Sequence, residues 1–338
     1  MGVTKKLIIN QQADYGYHPG GVDDVNFMDF NLRTAMDKPI SARRKKQRFN
    51  RFEFVSVASP SLILGAAIVD LGWVSNAFVY LFEPASGRFE EFSFLQPLGR
   101  KTEIEPRPKN GVARFQKGAN RIEISADAEQ ACRFVSLNLK GVSAELRIDE
   151  SQNYQPLGVC CRAGYNGWVY TQKAAGLPVT GQITWQGQEF DVAQQQALAS
   201  VDWSGGFMRR ETAWNWASLS AVLPDGRRLG MNLAAGVNET GFTENGLWLG
   251  GELIQVAPAD FRFERYSDSA AWQITTADGV VDLRFEPAGK RCEKVNAGFI
   301  ASNFTQHFGK YYGELNLPQG RLVVDGLWGL TEDHYARW

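Results

Sequence analysis

From residue 52 onward, apolar and polar side chains alternate in short runs, and almost nowhere do they recur at the three-to-four spacing of a helix. Residues 52–57 alternate, 62–71 form a near-continuous apolar run bounded by Pro60 and Gly72, and 77–82 form another. Ser86-Gly87 reads as a hairpin turn into 88–95. Residues 121–124 and 142–149 keep a period of two, with turns supplied by Asn110-Gly111, Gly118-Ala119-Asn120 and Gly141. The second half repeats the style between 168 and 330, broken by Pro224-Asp225-Gly226, Asn245-Gly246, Gly250-Gly251 and Asp278-Gly279. The best helical segment, 191–198, is short and Gln-rich. Roughly twenty strands exceed one small barrel, so the pattern predicts an all-β chain of two antiparallel barrels packed together, with very little helix. The expected units are an irregular segment 1–50 packing on the barrels, a first barrel 51–160 and a second 161–338. Their seam is placed near 153–164, where Pro156, Gly158 and Gly164 interrupt the pattern.

Composition adds few constraints. Of 338 residues 44% are hydrophobic, enough for a sizeable core, and 22% are charged with a net charge of −1. No global field therefore favours nucleic acid. One local run, Arg43, Arg44, Lys45, Lys46, Arg48 and Arg51, can grip phosphate, but no stacking aromatics accompany it, and a solvated loop without nucleic-acid binding is expected. Cys132, Cys160, Cys161 and Cys292 lack C-x-x-C spacing, and the vicinal pair is poor disulfide geometry, so reduced, buried thiols are expected. No signal-peptide core and no run of about 18 apolar residues occurs, and the expectation is a cytoplasmic protein without a membrane span.

Candidate chemistry concentrates in residues 201–218, which hold Trp203, Trp214 and Trp216 beside Asp202, Arg209, Arg210 and Glu211. In a strand, Trp214 and Trp216 share one face and Asn215 takes the other. No G-x-S-x-G, phosphate loop, dinucleotide fingerprint or H-E-x-x-H is present. The histidines His18, His307 and His334 lie far apart, so neither a metal site nor a cofactor is expected. What remains is polar residues set in aromatic text. Asp202, Glu244 and His307 are acid–base candidates, with Glu332 and His334 as second choices. Trp203, Trp214 and Trp216 would line a pocket, and Tyr170, Lys173, Asn215 and Arg337 would orient polar groups. A carboxylate in a tryptophan-lined cavity has its pKa raised, and indole faces stabilise developing positive charge.

At these residues the chain resembles the domain-of-unknown-function 2804 family. The likeness runs through Asp29-Phe30-Asn31-Leu32-Arg33, Val69-Asp70-Leu71-Gly72, Thr171-Gln172-Lys173, Asp202-Trp203, Trp214-Asn215-Trp216-Ala217-Ser218 and Thr243-Glu244-Asn245-Gly246. It ends with His307-Phe308-Gly309-Lys310-Tyr311 and the terminal Glu332-Asp333-His334-Tyr335-Ala336-Arg337-Trp338. One departure is Ala234-Ala235-Gly236-Val237-Asn238. The resemblance implies two lipocalin-like, calycin-type barrels, distantly similar to carotenoid hydratases and AttH-like proteins, and an apolar ligand of isoprenoid or lipid kind. The expected function is a cofactor-independent lyase, hydratase or isomerase acting on a hydrophobic small molecule in a barrel cavity. The alternatives are a non-catalytic lipid or isoprenoid carrier and a carbohydrate-active protein with tryptophan platforms.

Overall fold

The computed structural model describes residues 4–151, 154–237, 241–298 and 300–338. The chain forms two large curled antiparallel sheets, each a half-open barrel. The main path of the first runs Arg88–Pro97, Val74–Glu83, Ile63–Asp70, Asn50–Ala58, Leu198–Gly206, Gly167–Trp185, Val142–Asp149, Cys132–Leu139, Asn120–Asp127, Val112–Lys117, Thr102–Ile104. The second runs Glu252–Gln255, Gly246–Leu249, Arg228–Ala235, Glu211–Val222, Gly320–Arg337, Ala301–Leu317, Val281–Asn296, Trp272–Thr276, Ala259–Arg262.

The change of sheet falls between Gly206 and Glu211 rather than at the anticipated 160/161 seam. The reason is the 19-residue strand Gly167–Trp185, which pairs with Val142–Asp149 along its second half and with Leu157–Ala163 and Leu198–Gly206 along its first. Gly158 lies within a paired strand, and Asn153 lies outside the described residues. Strands of the second sheet are also longer than their hydrophobic runs suggest. Val281–Asn296 and Ala301–Leu317 continue through a bulge between Pro287 and Gly289, where an extra residue bends the ladder.

The helix sits elsewhere than anticipated. Residues 192–196 form a turn in which the Asp191 carboxylate accepts from the amides of Ala193 and Gln194. The basic run is instead the helix Ala42–Arg48, capped by the Ser41 hydroxyl, which accepts from Arg44 N at 3.4 Å. Its straight-chain residues favour helix once such a cap is present. The segment before it packs Leu7, Val22, Val25, Phe27 and Phe30 into the first core.

Alternation gives each sheet an inner and an outer face. Inner side chains fill two separate cores, one including Val55, Trp168 and Trp203 and the other Ala217, Leu219 and Trp272. Outer side chains of the two sheets meet in a third, smaller cluster of Phe54, Phe78, Tyr80, Phe82, Trp216, Phe308 and Leu330. Here the sheets are joined, and beside it a cavity opens. Among the described residues no helix is long and apolar enough to cross a membrane.

Candidate functional site

The cavity has a volume of about 270 Å³, at the small end of ligand pockets, and a mainly apolar wall. It lies between the sheets rather than inside either barrel, because its lining comes from outer-face positions of both. Phe52, Phe54 and Phe78 come from the first sheet and Trp214, Trp216 and Phe304 from the second.

One polar station belongs to the first sheet. On Gly167–Trp185 the outer positions are Val169, Thr171 and Lys173, and on the paired strand they are Asp202 and Ser204. Lys173 lies directly opposite Asp202 in the ladder, which brings its Nζ within 2.9 Å of Asp202 Oδ2. The loop before Gly246–Leu249 adds Glu244, whose Oε2 is 2.6 Å from the same Nζ. Burial works against the ammonium, but Asp202 and then Glu244 outweigh it and hold the lysine above its ordinary value. Lys173 thus sits between two carboxylates as the cation of a buried ionic cluster. Ser204 Oγ donates to Asp202 Oδ1 at 3.0 Å and lies 2.7 Å from the Thr171 hydroxyl. Burial, with Glu244 as a second cause, pushes the neighbouring Cys161 thiol up to about 12.

The second station belongs to Gly320–Arg337 and its neighbours. Glu332 is pinned on both oxygens: Trp214 Nε1 donates to Oε1 at 2.8 Å and Gln306 Nε2 to Oε2 at 3.2 Å. His334, two residues on and therefore on the same face, has Nδ1 3.5 Å from Glu332 Oε1, while Nε2 lies 3.0 Å from Ser302 Oγ. Its ring is wedged between Trp214 and Phe304, with centroids 4.2 and 4.9 Å away. Buried Gln306 Oε1 and His334 Nδ1 make no hydrogen bond among the described residues.

The structure thus brings Asp202, Glu244, Glu332, His334, Lys173, Trp214, Trp216 and Arg337 to one cavity. Four other candidates do not line it. His307 is one residue out of phase with Gln306 and packs on the inner side of the second sheet against Trp272, 5.8 Å between centroids. Burial lowers its pKa. Trp203 and Tyr170 face the first core, where the Tyr170 hydroxyl accepts from Val22 N and donates to Gln172. Asn215, opposite in phase to Trp214 and Trp216, donates to Asp333. Of the departure at 234–238, Ala234 and Val237 line the cavity and Asn238 lies outside the described residues.

Sequence reasoning missed Arg291. Its side chain is buried, with the guanidinium 3.9 Å from the Phe78 ring centre and 4.6 Å from that of Phe304. It spans the two sheets through an ion pair to Glu91 at 2.7 Å. In the text Lys290-Arg291-Cys292-Glu293-Lys294 it resembles any solvated charge run, and only strand phase distinguishes it. Phe52 and Phe54 carried a readable signal, an aromatic repeat at spacing two.

The profile of a family described as a domain of unknown function, DUF2804, matches residues 18–338. No curated protein matches the chain. Among solved structures, kievitone hydratase from Nectria haematococca superposes with a TM-score of 0.54 at 11% identity, covering 84% of this chain and 88% of that one. A putative AttH from Nitrosomonas europaea gives 0.53 at 14% identity, covering 86% and 92%. CghA in complex with Sch210972 gives 0.59 at 10% identity, covering 98% and 97%. At these identities the likeness shows a shared fold.

Proposed function

We propose, from the premise that this chain belongs to the DUF2804 family, whose description names no activity, that the cavity between its sheets is the active site of an acid–base lyase, hydratase or isomerase. The substrate is an apolar small molecule bearing a few oxygens. The observation that carries this reading is the Glu332–His334 pair opening onto a mainly apolar cavity, with a second polar station at Lys173, Asp202 and Glu244. Similarity of fold to a protein named a hydratase and to one solved with Sch210972 agrees with small-molecule chemistry in such a frame, but fold alone does not assign a reaction.

The chemistry needs one shuttled proton. In a dehydration, His334 takes a proton from carbon, the C–O bond breaks, the double bond forms, and the same proton leaves with the departing hydroxyl as water. Hydration is the reverse, and isomerisation returns the proton to a different carbon. An imidazole can both accept and deliver a proton and suits both directions. Glu332, held by Trp214 and Gln306, stabilises the imidazolium in between. Asp202 and Glu244 accept hydrogen bonds from a substrate hydroxyl, and the Trp214 and Trp216 indoles shelter positive charge.

The test is solvent deuterium wash-in. Compounds that raise the melting temperature, drawn from unsaturated ketones and isoprenoid alcohols, are incubated with the protein in D2O and weighed by mass spectrometry. Deuterium should enter carbon positions, and Glu332→Gln and His334→Asn should each lower the rate about 10²–10⁴-fold. Compounds that bind yet never exchange or change would sink catalysis. They would favour a carrier, the second reading, which the engagement of both Asp202 and Glu244 in ion pairs with Lys173 supports.

A further inference from the structure

The cavity is bordered on the first sheet by a patch with no place in the chemistry. Trp73 is 60% exposed, Leu95 59% and Leu98 60%, unusual for side chains of this size that stand together. They are neighbours: Leu98 N donates to Trp73 O at 2.7 Å, and Leu95 pairs across the ladder with Asn76. Leu71, Val74 and Leu95 also line the cavity, so the patch and the cavity wall are continuous.

Basic side chains stand around it. The backbone of Gly72 runs so close to Gln47 that a side chain at Gly72 would lie 2.2 Å from the Gln47 carbonyl oxygen, which presses the helix Ala42–Arg48 onto the turn that carries Trp73. That turn is fixed by Asp70, which accepts from Gly72 N at 2.9 Å and pairs with Arg51 at 2.5 Å. Lys45 is spent on the carbonyls of Met28 and Phe30, while Arg43, Arg44, Lys46 and Arg48 are exposed, and among the described residues none of the four has an ion pair. The turn after Leu98 adds exposed Arg100 and Lys101. Segments 41–49 and 97–101 contain no acidic residue in a chain whose net charge is −1.

We propose that this rim is a docking face for an anionic phospholipid bilayer, with Trp73 and Leu98 entering the interfacial layer and the basic side chains meeting lipid phosphates. An indole and aliphatic tips ringed by arginine and lysine match the layered chemistry of that interface, apolar below and negative at the headgroups. A nucleic acid would meet the charges but gain nothing from exposed leucines. Delivery of an apolar substrate from the bilayer into the adjoining cavity rests on the function proposed above. Docking itself does not, and the experiment reads docking without turnover.

The full chain is sedimented with large vesicles of phosphatidylcholine, with and without phosphatidylglycerol. Binding should require the anionic lipid and fall in high salt. Arg43→Glu combined with Arg44→Glu should weaken it by well over tenfold, at roughly fivefold per charge near an anionic surface. Trp73→Ser combined with Leu98→Ser should weaken it by about tenfold or more, with both double variants keeping the native melting temperature. Wild-type protein left in the supernatant, or variants that bind equally, would overturn the proposal. So would a dimer of this chain that Trp73→Ser dissociates in the absence of vesicle binding, or preferential binding of an oligonucleotide through the same arginines.

Discussion

Lys173 shows how much a single side chain carries here. Its charge is buried and answered by Asp202 and Glu244, so Lys173→Met would leave two carboxylates facing each other in an apolar wall. Loss of one member of a buried ionic cluster costs about 3–5 kcal/mol, and urea denaturation of the variant should show a loss of that order. His307 makes the opposite case. Burial holds its folded pKa below the ordinary 6.5, with Asp268 pulling it up and Lys290 down. The unfolded chain therefore takes up the proton first as pH falls. The stabilising contribution of neutral His307 is complete above pH 6.5 and is lost as pH falls through the folded value. The stability difference between wild type and His307→Gln should shrink as pH drops below 6.5, and a constant difference in urea midpoints would contradict this. Cysteine exposure also departs from the uniform burial anticipated: Cys132, Cys160 and Cys161 are buried and Cys292 is exposed. Ellman titration of native protein should find one reactive thiol of the four, and none in Cys292→Ser.

At the scale of strands, what the sequence reveals and what it conceals follow from one geometric fact. Alternation fixes which residues of a strand share a face, so Trp214 with Trp216, and Glu332 with His334, are pairs that spacing makes visible. It does not fix which face looks at which neighbour. His307 and Gln306 differ by one residue, and the pairing of Gln306 with Glu332 gives the cavity position to the glutamine. A histidine is the more eye-catching letter, but register decides. The same limit hid Arg291 and misplaced the seam, because nothing local says that the two halves of Gly167–Trp185 serve different partner strands. The crossing of that strand with Arg228–Ala235 is legible only in the structure. A side chain at Gly230 would lie 2.3 Å from the Ala175 backbone, and Gly176 N donates to Ser220 Oγ at 2.9 Å. Gly230→Ala should therefore wedge the sheets apart, at a cost of about 1–3 kcal/mol. Because this contact adjoins the cavity-bearing strands, binding of a fluorescent apolar probe such as N-phenyl-1-naphthylamine should weaken with it. A variant that binds the probe normally would show that the crossing does not shape the cavity.

At the scale of the molecule, two barrels with separate inner cores are joined where their outer faces meet, and Trp248 of the second sheet adds a further link by burying its indole in the first core. Phe308 is fully buried at the centre of that contact, stacked on Phe82 with ring centres 4.8 Å apart and within 5.2 Å of Tyr80. Arg291 and Glu91 clamp the same faces together. If this junction couples the sheets, calorimetry of the native protein should give a single transition. Phe308→Ala should lower it as a whole, since deleting a buried phenyl costs about 3–5 kcal/mol. Two transitions of which only one moves would mean that each barrel folds alone and the junction is incidental. The expectation extends to ligands. A molecule held between the sheets binds only when both are folded and in place, so a cavity ligand stabilises the joined state by mass action. Its shift in melting temperature should shrink in Phe308→Ala even though Phe308 does not line the cavity, which would separate a site made by the junction from a site owned by either sheet.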